Sequence, residues 1–312
     1  MNPAITSAPP TTVERDFVRP SVADRGWSYA DAFSRNAGLI DRAEQERLRR
    51  SRVAIAGMGG VGGIDLVTLA RLGIGRFTIA DPDVFEVANT NRQYGATRST
   101  DGRSKVQVMA EIARDINPEI DLRVYPEPIT ADNAAEFLRD ADLFVDALEV
   151  FEIGVRRRLF GLAAEQGIHA ITAGPVGFSA VWLVFSPTGM SFDRYFDLRD
   201  DLSPVESVAS FIAGVAPAGT QRTYMDMRAV SVRDRVGPSS SLACHLAAGA
   251  MACEAVKILL GRGHVCAAPV YQQFDPYTGR FVQRRLRGGN RNFWQRFKRR
   301  RLVDFLEKSA NG

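Results

Sequence analysis

The hexapeptide GMGGVG, with Gly57, Gly59 and Gly62 in G-x-G-x-x-G spacing, separates the apolar run VAIA (residues 53–56) from a stretch of helical periodicity reaching Leu72. Phe77 to Ala80 then reads as a second strand, so the segment has the strand, glycine turn, helix, strand order of one βαβ unit. Glycines at these positions allow a tight turn, let a phosphate approach the backbone, and let the helix pack closely on the strand. The amides that open the helix are then presented to an anion. Asp81 stands nineteen residues beyond Gly62, at the end of the second strand, where a carboxylate can accept hydrogen bonds from ribose hydroxyls. Gly57, Gly59, Gly60, Gly62 and Asp81 are therefore expected to bind an adenine nucleotide.

The remaining pattern extends this unit into an α/β, Rossmann-like, doubly wound and mainly parallel sheet. Helices are expected over 40–50, 104–116, 131–138 and 153–166, with strands over 122–125, 143–146 and 169–172. Beyond Gly174 a strand over 179–185, a loop with a short irregular element over 187–204, a small-residue helix over 242–260 and a hairpin over 271–286 form an additional C-terminal strand and helix region. The expected domains are a flexible arm over 1–28, one catalytic domain over 29–286 with a crossover-loop elaboration around 187–240, and a basic tail over 287–312.

The excursion DPDVFEVANTNRQYGATRSTDGRSK, from Asp81 to Lys105, decides which nucleotide is expected. A dinucleotide needs one pyrophosphate cradled and an open route to its nicotinamide. Arg92 and Lys105, folded back over the turn, add two cations that suit a triphosphate whose leaving pyrophosphate gains charge during reaction. ATP is the expected nucleotide, with an NAD-dependent oxidoreductase as a competing reading.

With Asn89, Arg92, Gln93 and Lys105 in order after the glycine turn, residues 33 to 262 resemble the ThiF, MoeB and ubiquitin-activating enzyme superfamily of ATP-dependent adenylyltransferases. The resemblance implies that a substrate carboxylate attacks the α-phosphate of ATP, giving an acyl-adenylate and pyrophosphate. It implies Asp81 as the ribose ligand, with Asp83 beside it, and Asn89 as a phosphate-side contact. Arg92 and Lys105 would stabilise the transition state, while Gln93 orients the loop. Where the family has D-x-x-D followed by Asn or Ser, this chain has D-A-L-E-V, so Asp146 and Glu149 are the candidates for Mg2+. Phe33-Ser-Arg35-Asn36 followed by Glu44-Gln45 matches the segment whose arginine reaches a neighbour's ATP, making Arg35 a candidate contact across a homodimer.

Three cysteines, Cys244, Cys253 and Cys266, include no CxxC pair, so no structural zinc is expected. No cysteine falls between Gly174 and Leu242, where a thioester nucleophile would be expected, and Cys244 and Cys253 read as core thiols. His169, His245 and His264 lack metal-ligand spacing. The opening residues show neither a basic segment nor an apolar run, and no stretch has eighteen unbroken apolar residues; a cytoplasmic location without integral membrane association is expected.

The net charge of +4 conceals an uneven distribution: ten Lys or Arg and no acid lie between Arg280 and Arg301. That tail reads three ways, as a packed or dimer-contacting helix, as a solubilising tail, or as a contact for an anionic surface. Asp193, Arg194, Asp197, Arg199, Asp200 and Asp201 form a polar cluster that either recognises an acyl acceptor or is solvated. The expected substrate is a carboxylate on a ubiquitin-like protein, a peptide, a small molecule or a modified tRNA. The last would make the chain similar to tRNA threonylcarbamoyladenosine dehydratase; a noncatalytic nucleotide-binding scaffold is the remaining alternative.

Overall fold

Alternation of buried apolar strands with helices builds one eight-stranded sheet in the computed structural model, which describes residues 26–231 and 236–311. The strands are β1 (Arg52–Ala56), β2 (Arg76–Ala80), β3 (Asp121–Tyr125), β4 (Leu143–Asp146), β5 (His169–Val176), β6 (Ser179–Phe185), β7 (Val270–Asp275) and β8 (Arg280–Arg285), in the order β3-β2-β1-β4-β5-β6-β7-β8. The five from β3 to β5 are parallel, and β6 to β8 add antiparallel pairs. The doubly wound, mainly parallel fold expected from the sequence is thus observed. Its strand order reverses between β1 and β4, and the crevice at the carboxyl ends of those strands is where α/β sheets bind ligands.

One face of the sheet is covered by α3 (Gly62–Arg71), α4 (Lys105–Ile116) and α9 (Ser241–Leu260), whose apolar residues form one core with β1, β2 and β6. The other is covered by α5 (Ala134–Phe137), α6 (Ile153–Glu165), α7 (Phe192–Phe196) and α8 (Pro204–Val215), around Phe144, Phe160, Phe185 and Phe196. By length and composition α9 could cross a membrane, but it packs on β5, β6 and α3, so it is a core helix. The short α1 (Tyr29–Ala32) and α2 (Arg42–Arg50) precede β1; Asp41 starts α2 through a reciprocal cap with Glu44.

Several boundaries and elements differ from the sequence expectation. β5 continues to Val176 because the antiparallel partner β6 supplies hydrogen bonds beyond Thr172. The segment read as a loop carries α7, and α8 follows it, opened by a cap in which Ser203 and Glu206 satisfy each other's backbone amides. The basic tail forms α10 (Phe293–Asn311) and packs on α8, with Leu306 buried. Residues 1–25 of the expected arm, and 232–235 of the crossover segment, lie outside the described residues.

Candidate active site

Gly57 leaves the end of β1 with φ at +98°, and a Cβ there would collide with the Ala147 carbonyl. At Gly62 a Cβ would strike the Gly57 carbonyl and also crowd Ala147. Both clashes are with backbone that cannot step aside, so the turn folds close against the end of β4 only with glycine at these positions.

Asp81 locks that turn to the end of β2. One carboxylate oxygen accepts from the Met58 amide at 2.7 Å and the other from the Asp83 amide at 2.9 Å. Burial pushes its carboxyl up, while the Met58 and Asp83 amides and Lys105 oppose the rise. Lys105 opens α4, and its buried ammonium lies 3.0 Å from the Asp83 carboxylate. Arg92 is half-buried, with Nη1 donating to the Ala88 carbonyl and to Asn91 Oδ1, both at 3.0 Å. Gln93 is buried beside Gly59, and its Oε1 has no protein partner among the described residues.

These groups converge on one cavity of about 750 Å³. Gly57, Gly59, Gly60, Asp81, Asp83, Arg92, Gln93, Lys105, Asp146 and Glu149 all line it. Gly62 lies beneath the turn, and Asn89 sits behind the cavity wall, where its Oδ1 accepts from the Glu86 amide at 3.0 Å and caps the turn that carries Arg92. Arg35 is exposed outside this cavity; its neighbour Asn36 bonds Gln45 and the Leu72 carbonyl.

Asp146 and Glu149 occupy different settings despite their shared loop. Asp146 is buried, with Oδ2 accepting from Arg156 Nε at 2.7 Å and Oδ1 from the Leu148 amide at 3.2 Å. A divalent ion on Asp146 would have to displace a buried guanidinium that also holds the Leu148 and Glu149 carbonyls. Glu149 lines the cavity wall. No group of three or more His, Cys, Asp or Glu able to hold a metal occurs among the described residues; Mg2+ carried by phosphates needs only one or two carboxylates.

Arg156 was not among the sequence candidates, nor was Phe211 of α8, over whose ring the Arg156 guanidinium lies at 4.3 Å. The acid and base cluster around α7 lies outside the cavity and joins elements instead. Arg157 pairs with Asp193 and Asp200, whereas Asp197 pairs with Arg291 and Arg299 of the tail. Within that cluster Asp193 and Asp197 join elements, whereas Arg194, Arg199, Asp200 and Asp201 are exposed to solvent. Burial pushes the Cys244 thiol up to about 11, which keeps it protonated and inert.

A glycine turn at a sheet switch point, with a buried acid at the next strand end and cations facing the turn, defines a Rossmann-type nucleotide-binding protein. The chain belongs to the ThiF family, whose model matches residues 33–294. It is 35% identical over 151 residues to the tRNA threonylcarbamoyladenosine dehydratase of Haemophilus influenzae, an alignment covering 48% of this chain and 57% of that protein. It is 38% identical over 107 residues to the sulfur carrier protein adenylyltransferase of Thermus thermophilus, covering 34% of this chain and 40% of that one. The chain therefore spans about half the length, or less, of these curated relatives. Among solved structures, PaaA superposes with a TM-score of 0.62 at 19% identity, covering 84% of this chain and 77% of its own. Escherichia coli MccB, solved with ATP, gives 0.58 at 19% identity, covering 79% and 66%. Those structural likenesses establish the fold. An enzymatic role within the ThiF and MoeB superfamily is supported by the family membership and these relatives.

Proposed function

We propose that this chain uses ATP to activate a substrate carboxylate. A carboxylate oxygen attacks the α-phosphorus, the bond from that phosphorus to the bridging oxygen of the β-phosphate breaks, and pyrophosphate leaves with the electron pair. The observation that carries this reading is the convergence of Asp81, Arg92 and Lys105 on the cavity in front of the glycine turn. Asp81 holds the ribose hydroxyls, and Gly57, Gly59 and Gly60 let the phosphates approach the backbone. Lys105 exchanges the Asp83 carboxylate for phosphate oxygens, and Arg92 turns from Ala88 and Asn91 toward the leaving pyrophosphate. Asn89 acts through the turn it caps, and Gln93 braces the glycine turn.

Magnesium would arrive with the nucleotide and neutralise phosphate charge. Glu149, which lines the cavity, would meet it, whereas Asp146 holds Arg156. A homodimer in which Arg35 reaches the partner's phosphates completes the proposal, together with a cytoplasmic location.

The donor of the carboxylate has two readings, each with its own support. The first three relatives, tRNA threonylcarbamoyladenosine dehydratases from Haemophilus influenzae, Escherichia coli and Bacillus subtilis at 35%, 32% and 43% identity, favour a modified tRNA. The basic α10 fits that reading, because cations there can neutralise RNA phosphates. The T. thermophilus sulfur carrier protein adenylyltransferase favours a carboxylate on a carrier protein or peptide. Exchange of labelled pyrophosphate into ATP separates them: stimulation by tRNA alone supports the first, stimulation by peptides or small acids the second, and no exchange with any carboxylate rejects adenylation.

A further inference from the structure

The cavity is larger than its nucleotide half. Past the end of β4 its wall passes to Val155 of α6, Val176 and Val181 of the β5–β6 hairpin, and Phe211, Ile212 and Val215 of α8. This wing is continuous with the part of the cavity that the glycine turn, Arg92 and Lys105 line. Its floor is rigid, since the buried Arg156 guanidinium is fixed by Asp146 and the Leu148 carbonyl and lies on the Phe211 ring.

Among the described residues the wing presents apolar side chains rather than cations. Of the three cations that line the cavity among the described residues, Arg92 and Lys105 belong to the nucleotide half, and Arg156 is neutralised by Asp146. Glu149 and Glu152 also line the cavity. An apolar group that displaces water from the wing's apolar side chains is the occupant such a surface favours.

We infer that the wing is a side-chain pocket, and that the acid activated here carries an aliphatic or aromatic group beside its carboxylate, as a free acid or as the last residue of a peptide. This rests on the carboxylate-activation reading and narrows it. Selectivity then comes from α8, whose Phe211, Ile212 and Val215 set the depth of the pocket.

Calorimetric binding to the full chain holding a non-hydrolysable ATP analogue tests the pocket, with N-acetyl-leucine, N-acetyl-glycine, and hexapeptides ending in leucine or glycine as probes. The leucine ligands should bind about 10- to 200-fold more tightly than the glycine ligands, the discrimination an apolar pocket supports. Tight binding of N-acetyl-leucine itself identifies a free acid, and tight binding of the leucine peptide alone identifies a peptide. Val215→Trp should fill the wing and abolish the preference, and Ile212→Ala should reduce it, with the thermal midpoint of each variant as the folding control. Equal binding of leucine and glycine ligands, binding of neither, or occupation of the wing by tRNA overturns the inference. Pyrophosphate exchange reads the underlying chemistry separately: a leucine preference without exchange keeps the pocket and removes adenylation, and exchange without that preference does the reverse.

Discussion

Lys105 shows how an ion pair can hold ready the cation proposed to meet phosphate. Its ammonium is buried against an Asp83 carboxylate that is itself more than half exposed, so phosphate oxygens can replace Asp83 without opening the core. Lys105→Ala should lower the pyrophosphate exchange rate by about 10²- to 10³-fold, the effect of losing one such stabilising donor. An unchanged rate would remove Lys105 from the reaction. Arg156 belongs to the architecture: Arg156→Ala leaves Asp146 buried without its counterion and should destabilise the protein by about 3–5 kcal/mol in urea unfolding. Asp65 behaves differently again, because it is fully buried and neither carboxylate oxygen has a protein partner among the described residues. Burial, with repulsion from Asp146, raises its carboxyl well above the ordinary range. A carboxyl whose folded pKa lies above its unfolded value of about 3.9 contributes most stability below that value and loses it as pH rises toward the folded pKa. Asp65→Asn has no such proton to lose, so its thermal midpoint should gain on the parent as the pH is raised from about 4 to 8; a gap that stays constant with pH would refute this assignment. Of these residues, Lys105 could be read from its motif. Arg156 and Asp65 could not, because an arginine or aspartate among apolar helical neighbours carries no mark of what lies across from it.

At the scale of elements, the basic tail follows the packed-helix reading among the three that the sequence left open. Its apolar residues share no single stripe in the sequence, yet Leu306 is buried, and Gln295 donates to the Ala213 carbonyl at 2.8 Å. Nearby, Asn290 donates to the Ser210 carbonyl at 2.7 Å. Leu306→Ala should cost about 2–5 kcal/mol if α10 folds together with α8, measurable as a shift in the unfolding midpoint. Asp197, which closes α7 in a left-handed conformation, receives Arg291 and Arg299. Burial acts to raise its carboxyl, but those two arginines outweigh burial and hold it below the usual range. The stability it gives is therefore present above the unfolded carboxylate value and is lost as pH falls through the lower folded one. Amides of α10 should exchange with solvent faster in Asp197→Asn than in the parent at neutral pH, and the two should converge in acid; equal exchange at every pH would show that the arginines do not fasten the tail. The start of α8 carries a capping-box pattern, Ser203-Pro-Val-Glu206 before an apolar run, that the sequence reading passed over. Its position as a cavity wall was not legible, because no local signal says which face a helix presents to a sheet.

For the whole molecule, the proposed trans contact gives a test that a single chain cannot mimic. If Arg35 serves the partner's site, Arg35→Ala and Lys105→Ala variants, each impaired alone, should recover exchange activity when co-expressed as mixed dimers. A purely monomeric mass by sedimentation, or no recovery, would refute the shared site. The amino-acid sequence by itself determined the nucleotide half, because a βαβ turn is built from contiguous residues whose spacing and glycine content are dictated by backbone sterics. It also determined the alternation of strands and helices through Thr172, since burial on both faces of a parallel sheet leaves a local apolar signature. Only the tertiary structure decided that Asp146 faces Arg156, that α8 closes one side of the cavity, and that the cations at 291 and 299 meet Asp197. The pairs and walls concerned join segments distant along the chain or fixed by side-chain direction, and it is the burial of apolar surface between layers that brings them together.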